Sequence, residues 1–119
     1  MTKSDKKDNN LKFGEFIRKS RLKHNLGLRE FANQVGISAT YISKMEIGDY
    51  APPKEENIKK MAQILNIDED KLLSMAEKLS SDLKDIINDK PNLYASFLRR
   101  AKPKDVLRFM KELDEGKKG

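Results

Sequence analysis

The run Ala39-Thr40-Tyr41-Ile42-Ser43-Lys44-Met45-Glu46 holds the side chains best placed to do chemistry with another molecule. Thr40 and Ser43 contribute hydroxyls, Lys44 an ammonium, Tyr41 a phenol, and Ala39 keeps its position small. Hydroxyls donate and accept hydrogen bonds, while the ammonium donates and carries charge. The groups that would turn such a surface into a catalyst are missing. His24 is the only histidine and stands beside Asn25 at a helix end, where it suits the negative end of the helix dipole. The carboxylates Glu55-Glu56 and Asp68-Glu69-Asp70 fall at helix starts, where they favour the positive end, and have no companions at metal-ligand spacing. There is no glycine-rich phosphate loop, no nucleophile elbow and no cysteine, which excludes disulfides, thiolate-zinc sites and cysteine nucleophiles. The five methionines sit mostly at apolar positions and read as core filler. The expectation is a protein that is not an enzyme and uses neither cofactor nor metal.

Helical spacing explains how these groups are presented. Along ATYISKMEIGD, Ile42 and Met45 share a buried azimuth with Glu46 beside them, leaving Thr40, Tyr41, Ser43, Lys44 and Ile47 on other faces. Ser38 can cap this helix by accepting from a free first-turn amide, and Ile37 before it can pack into the core. Upstream, Phe31, Ala32 and Val35 mark one face of another short helix. Gly36 must end it, because glycine adopts the left-handed conformation cheaply. The spacing predicts two short helices set at a sharp angle by the turn Gly36-Ile37-Ser38, with the second presented outward.

The whole stretch, LGLREFANQVGISATYISKMEIGDYAP, closely resembles the phage-repressor (Xre/Cro-like) helix-turn-helix family. The matching residues are Leu26, Glu30, Phe31, Ala32, Val35, Gly36, Ile37, Ser38, Tyr41, Ile42, Ser43, Lys44, Met45, Glu46 and Gly48, and the likeness extends from about Phe13 to about Leu73. The resemblance implies an all-α, five-helix lambda-repressor-like domain that inserts the N-terminal half of helix 38–47 into the major groove of double-stranded DNA. Ala39, Thr40, Ser43 and Lys44 would then face base edges. Lys44 would donate to guanine N7 or O6, Thr40 would donate, accept or touch a thymine methyl, and Ala39 would offer apolar contact. Tyr41 would meet phosphate or the groove wall, and amides near Gly27 and Leu28 would hold a phosphate at a helix N-terminus. Arg18, Arg29, Ser38 and Tyr50 complete the expected contact set. The resemblance also pairs Arg21 with Glu46 as a structural ion pair. Two positions depart from the family pattern: Leu28 replaces a backbone-anchoring glutamine, which Arg29 can supplant, and Ile47-Gly48-Asp49-Tyr50 is acidic where the family is often basic.

The rest of the chain reads as support. With 25 basic against 19 acidic residues, the net charge of +6 attracts polyanions moderately. Residues 1–10 are polar without periodicity and are expected as a disordered tail, solvated rather than DNA-binding because Lys3, Lys6 and Lys7 alternate with Asp5 and Asp8. Residues 11–73 form the expected DNA-binding domain. Its first helix carries a stripe of Phe13, Ile17 and Leu22, and a later one Ile58, Met61, Ala62 and Leu65. Asn66-Ile67 ends the latter, and Asp68 caps the next.

Residues 74–119 are expected as a helical appendage that dimerises or binds a protein partner. Leu72, Ala76, Leu79, Leu83 and Ile86 fall at alternating steps of four and three, the spacing of a heptad seam on a helix reaching about Asn88, unless Ser80-Ser81-Asp82 caps a separate helix. Pro91 can open another helix bearing Leu93, Phe97 and Leu98. Beyond Pro103 and Asp105, a last stripe holds Val106, Phe109, Met110 and Leu113. No apolar run approaches the about 20 residues that span a bilayer, and MTKSDKKDNN has no apolar core of a signal peptide. The expectation is therefore a cytoplasmic, sequence-specific transcriptional regulator, a homodimeric repressor with no membrane contact. The rival is an antitoxin-like or adaptor protein whose C-terminal helices wrap a partner.

Overall fold

A computed structural model describes residues 3–117. The secondary structure of the described residues is entirely helical: α1 Lys3–Lys23, α2 Leu28–Val35, α3 Ala39–Glu46, α4 Glu55–Leu65, α5 Glu69–Met75, α6 Ser81–Asp89, α7 Pro91–Arg100 and α8 Pro103–Lys117. The expected all-α class holds. The chain divides into two compact units, one ending at Ser80 and the next beginning at Ser81.

In the first unit α3 lies against α1 and α2, α2 against α4, and α4 against α5. They enclose one core built from Phe13, Ile17, Phe31, Ala32, Val35, Ile42, Met45, Ile58, Met61, Ala62, Leu65, Leu72 and Leu73. Every apolar stripe read from α2, α3 and α4 points into it. The helix ends follow local chemistry. Gly36 takes φ +89° and closes α2 with its N–H on the Ala32 carbonyl, 2.8 Å away. Asn66 closes α4 at φ +54°, a region that asparagine tolerates better than other side chains. The Asp68 carboxylate accepts from the Lys71 amide at 2.8 Å and starts α5.

Two expectations are corrected in α1. The helix begins at Lys3, so the tail expected to be disordered over residues 1–10 is helical from there, while residues 1 and 2 lie outside the described residues. Neither proline nor glycine occurs between Lys3 and Phe13, and extending a helix already nucleated by buried turns costs little. Asn9 Nδ2 also donates to Glu77 Oε1 at 2.5 Å, tying this extension to the chain just beyond α5. The second correction concerns Leu22, which is 53% exposed. The inward stripe runs Phe13, Gly14, Ile17 and Arg21; an α-helix turns about 100° per residue, so Leu22 points away once Arg21 points in.

In the second unit α6 packs on α7. The long seam helix does not form. After Met75 the Ala76 amide bonds back to Leu72 and Leu73, Glu77 takes φ +57°, and the chain runs without helix to Ser81. Leu79 therefore sits in a connecting segment instead of on a heptad seam. The polar Ser80-Ser81-Asp82 competes for backbone hydrogen bonds, which favours a helix start over a helix interior. Pro91 stands in the first turn of α7, as its locked φ favours. At the start of α8, Asp105 Oδ2 accepts from the Lys102 amide at 3.0 Å. Phe97 and Phe109 meet edge to face, with centroids 5.9 Å apart. No described residue of this unit is buried, and Leu93, Leu98, Leu107, Met110 and Leu113 are all more than half exposed.

Candidate nucleic-acid interface

The placement of α3 is set from behind by three residues of α1, Gly14, Ile17 and Arg21. A Cβ at Gly14 would lie 2.2 Å from the Met45 carbonyl oxygen and 2.7 Å from that of Glu46, so glycine alone lets α1 approach the end of α3 this closely. One and two turns further, Ile17 and Arg21 face the same way. The Arg21 guanidinium meets both carboxylate oxygens of Glu46, Nε to Oε2 at 2.8 Å and Nη2 to Oε1 at 2.9 Å, and its Nη1 donates to the Leu26 carbonyl at 2.8 Å. Both residues are buried. The hydrogen bond to Glu46 raises the Arg21 pKa further above its ordinary value, against the opposing effect of burial. One side chain thus joins α1, the end of α3 and the entry to α2.

The front of α3 begins at Ser38, whose Oγ accepts from the Tyr41 amide at 3.1 Å. From there Ala39, Thr40, Ser43 and Lys44 line a shallow open groove together with Leu28 and Arg29 of α2. Hydroxyls, an ammonium and a guanidinium share that surface, with Ala39 and Leu28 as its apolar part. Gly27, exposed and extended at φ −68° and ψ 160°, precedes α2 without a side-chain cap, so no side chain occupies the first amides of that helix. Such amides can hold an anion beside the groove. Leu28 also packs partly against the core, and its apolar side chain anchors the helix that presents these amides. Arg18 is exposed on α1 outside the groove lining.

Tyr41 and Tyr50 also meet each other within the protein. The Tyr41 hydroxyl donates to the Ala51 carbonyl at 2.5 Å, and its ring meets that of Tyr50 with centroids 5.4 Å apart at 47°. Its proton is already committed, so Tyr41 braces the loop after α3 before any outside group is involved. Partial burial raises its pKa above the ordinary phenol value. Tyr50 is 41% exposed, and the Lys44 ammonium lies over its ring, 5.5 Å from the centroid. The loop is closed on the backbone too: the Asp49 and Tyr50 amides donate to the Lys44 carbonyl at 2.9 and 3.3 Å, and Gly48 turns at φ +85°. The Asp49 side chain is exposed on this loop.

Sequence reasoning overlooked Gly14 and Ala51. A glycine inside a helical pattern signals a close backbone approach, so Gly14 was legible in principle. The Ala51 carbonyl carries no such signal, because its role depends on the path of the loop.

Helix-turn-helix domains match residues 14–78 of the chain as a family. The chain is 36% identical over 64 residues to RghRB, an uncharacterized HTH-type transcriptional regulator of Bacillus subtilis (strain 168), a stretch covering 54% of this chain and 46% of that protein. The chain thus spans about half the length of the curated relative it matches. Among solved structures, it is similar to the SinR protein/SinI protein complex with a TM-score of 0.49 and 20% identity, covering 90% of this chain and 99% of the other.

Proposed function

Because the chain belongs to the helix-turn-helix domain family, of the Xre/Cro-like kind, we propose that it is a DNA-binding transcriptional regulator reading the major groove with α3. The observation that carries this reading is the single groove in which Leu28 and Arg29 meet Ala39, Thr40, Ser43 and Lys44. Base recognition needs groups that donate, accept and contact methyls on a convex helix, flanked by cations and amides for phosphate. Here Lys44, Ser43, Thr40 and Ala39 form the reading edge. Arg29 and the amides at Gly27 and Leu28 hold the backbone, with Arg18 as an outlying phosphate contact. Tyr41 on α3 and Tyr50 on the loop after it brace the two together.

The protein acts as a homodimeric repressor that occupies its operator, with α6 to α8 pairing two copies. A single such domain reads few base pairs, and two-fold pairing raises specificity. The apolar side chains exposed on α7 and α8 favour protein contact over solvent. A regulator of this kind works where the DNA is, in the cytoplasm; no described helix is long and apolar enough to cross a membrane.

Selection of bound sequences from a random DNA pool tests the assignment. Enrichment of one two-fold motif is the expected result. Affinity for it should fall at least about tenfold between roughly 50 and 200 mM salt, as several neutralised phosphates require. A pool that emerges unenriched, or binding indifferent to salt, would overturn the reading.

A further inference from the structure

Lys44 does not extend freely into solvent. Its ammonium lies 5.5 Å from the centroid of the Tyr50 ring, within the reach of a cation–π attraction. The ring is held from three directions. Its backbone amide donates to the Lys44 carbonyl, its ring meets that of Tyr41 at a tilt of 47°, and the next residue, Ala51, accepts the Tyr41 hydroxyl. Pro52 and Pro53 then restrict the chain as it leaves the loop. The aromatic platform under Lys44 is therefore built from α3 itself and the loop immediately following it.

We propose that Tyr50 is a positioning residue for Lys44, confining the ammonium to the reading edge of α3 and thereby sharpening discrimination between DNA sequences. This rests on the DNA-reading assignment above. A lysine ammonium on its flexible four-carbon stem is a point charge that any nearby phosphate satisfies, so left free it strengthens binding to every sequence alike. Held on an anchored ring, it keeps fewer rotamers and has less reach toward the backbone. The Tyr50 hydroxyl has no part in this, since only the ring face meets the cation.

Nuclear magnetic resonance of the full chain without DNA gives the first test. Ring-current displacement of the Lys44 ε protons is expected in the wild type and in Tyr50→Phe, and is lost in Tyr50→Leu. The second compares affinity for the pool-selected sequence with that for a scrambled duplex. Tyr50→Leu should lower their ratio by a factor of about two to five, the worth of an exposed cation–π contact, while Tyr50→Phe restores it. In a Lys44→Ala background Tyr50→Leu should change the ratio no further. Absence of the ring-current displacement in the wild type overturns the proposal without reference to DNA and whatever the folding of any variant. An undiminished effect of Tyr50→Leu in the Lys44→Ala background overturns it as well. If the displacement is present but wild-type protein does not distinguish the two duplexes, the DNA-reading assignment has failed and the specificity role fails with it.

Discussion

Arg21 on α1 and Glu46 at the end of α3 form a buried two-pronged ion pair, Nε to Oε2 at 2.8 Å and Nη2 to Oε1 at 2.9 Å. Desolvation offsets much of the attraction within such a pair, but removing one partner leaves the other charge buried and uncompensated. Arg21→Ala and Glu46→Ala should therefore each destabilise the fold by about 3 kcal/mol or more, and the double variant by less than the sum. Denaturant unfolding of the four proteins checks this. Additive losses would mean that the two charges do not depend on each other.

Gly14→Ala should be as damaging as losing the ion pair, although it adds only a methyl group. The added Cβ would stand 2.2 Å from a backbone carbonyl oxygen of α3, and backbone cannot move aside as a flexible side chain can. Overpacking of this kind costs about 1 to 3 kcal/mol, with the upper end expected here. A melting temperature unchanged from wild type would show that α1 and α3 are not so closely packed.

The fold was legible where one residue type has one physical use. Gly36 and Ser38 announced the turn, and Phe31, Ala32, Val35, Ile42 and Met45 announced the core, because periodicity and capping are local. Leu22 misled since an apolar residue one position past Arg21 looked like the natural continuation of the stripe; seeing that the arginine turns inward needs its partner 25 residues away. The split between α5 and α6 was legible only as an alternative, for the heptad spacing and the Ser80-Ser81-Asp82 cap pointed in opposite directions. At the candidate site, helical phase placed Thr40, Ser43 and Lys44 off the buried face, while their grouping with Ala39 came from the family resemblance. The Tyr41 bond to Ala51 and the Lys44 position over Tyr50 could not, because both depend on how a loop returns to its helix.

Alkaline pH should weaken the brace on that loop. Burial raises the Tyr41 pKa in the folded state, so this group contributes stability below its unfolded pKa of about 10 and loses it as pH rises through the higher folded value. Deprotonation also removes the hydrogen donated to Ala51. Tyr41→Phe should show a shallower stability loss above that pH than wild type. Urea unfolding across the alkaline range, with phenolate absorbance followed in parallel, decides the matter; identical pH profiles would clear Tyr41 of the role.

Lys44→Ala should reduce affinity for the selected sequence by about 1 to 3 kcal/mol and barely affect random DNA. A base-edge donor is sequence-dependent, whereas a phosphate contact is felt equally on every duplex. Equal losses on both DNAs would move Lys44 from the reading edge to the backbone. The salt slope separates the two independently, since loss of a phosphate contact lowers it by about one.

The pairing of two copies through α6 to α8 makes the most exposed prediction. Leu83, Ile86, Phe97, Phe109, Met110 and Leu113 lie on helices in whose unit no described residue is fully buried, and helices of this length are marginal in water without packing. Full burial of each such side chain contributes roughly 1.5 to 3 kcal/mol. A handful shared across a two-fold axis can therefore offset an association cost of about 4 to 15 kcal/mol. Leu79, in the segment before α6, lies on none of these helices and should matter least. A chain ended after Ser80 retains the whole buried core, so it should stay helical by circular dichroism, sediment as a monomer and bind one half-site weakly. Met110→Asp and Leu113→Asp in the full chain should give the same monomer without unfolding the first unit. The intact protein should protect two half-sites whose centres lie about 34 to 36 Å, or a multiple, apart. If intact protein sediments as a monomer at micromolar concentrations, pairing is wrong. If the shortened chain unfolds, the helices beyond Ser80 serve their own first unit instead, and if a second polypeptide copurifies stoichiometrically, they serve a different partner.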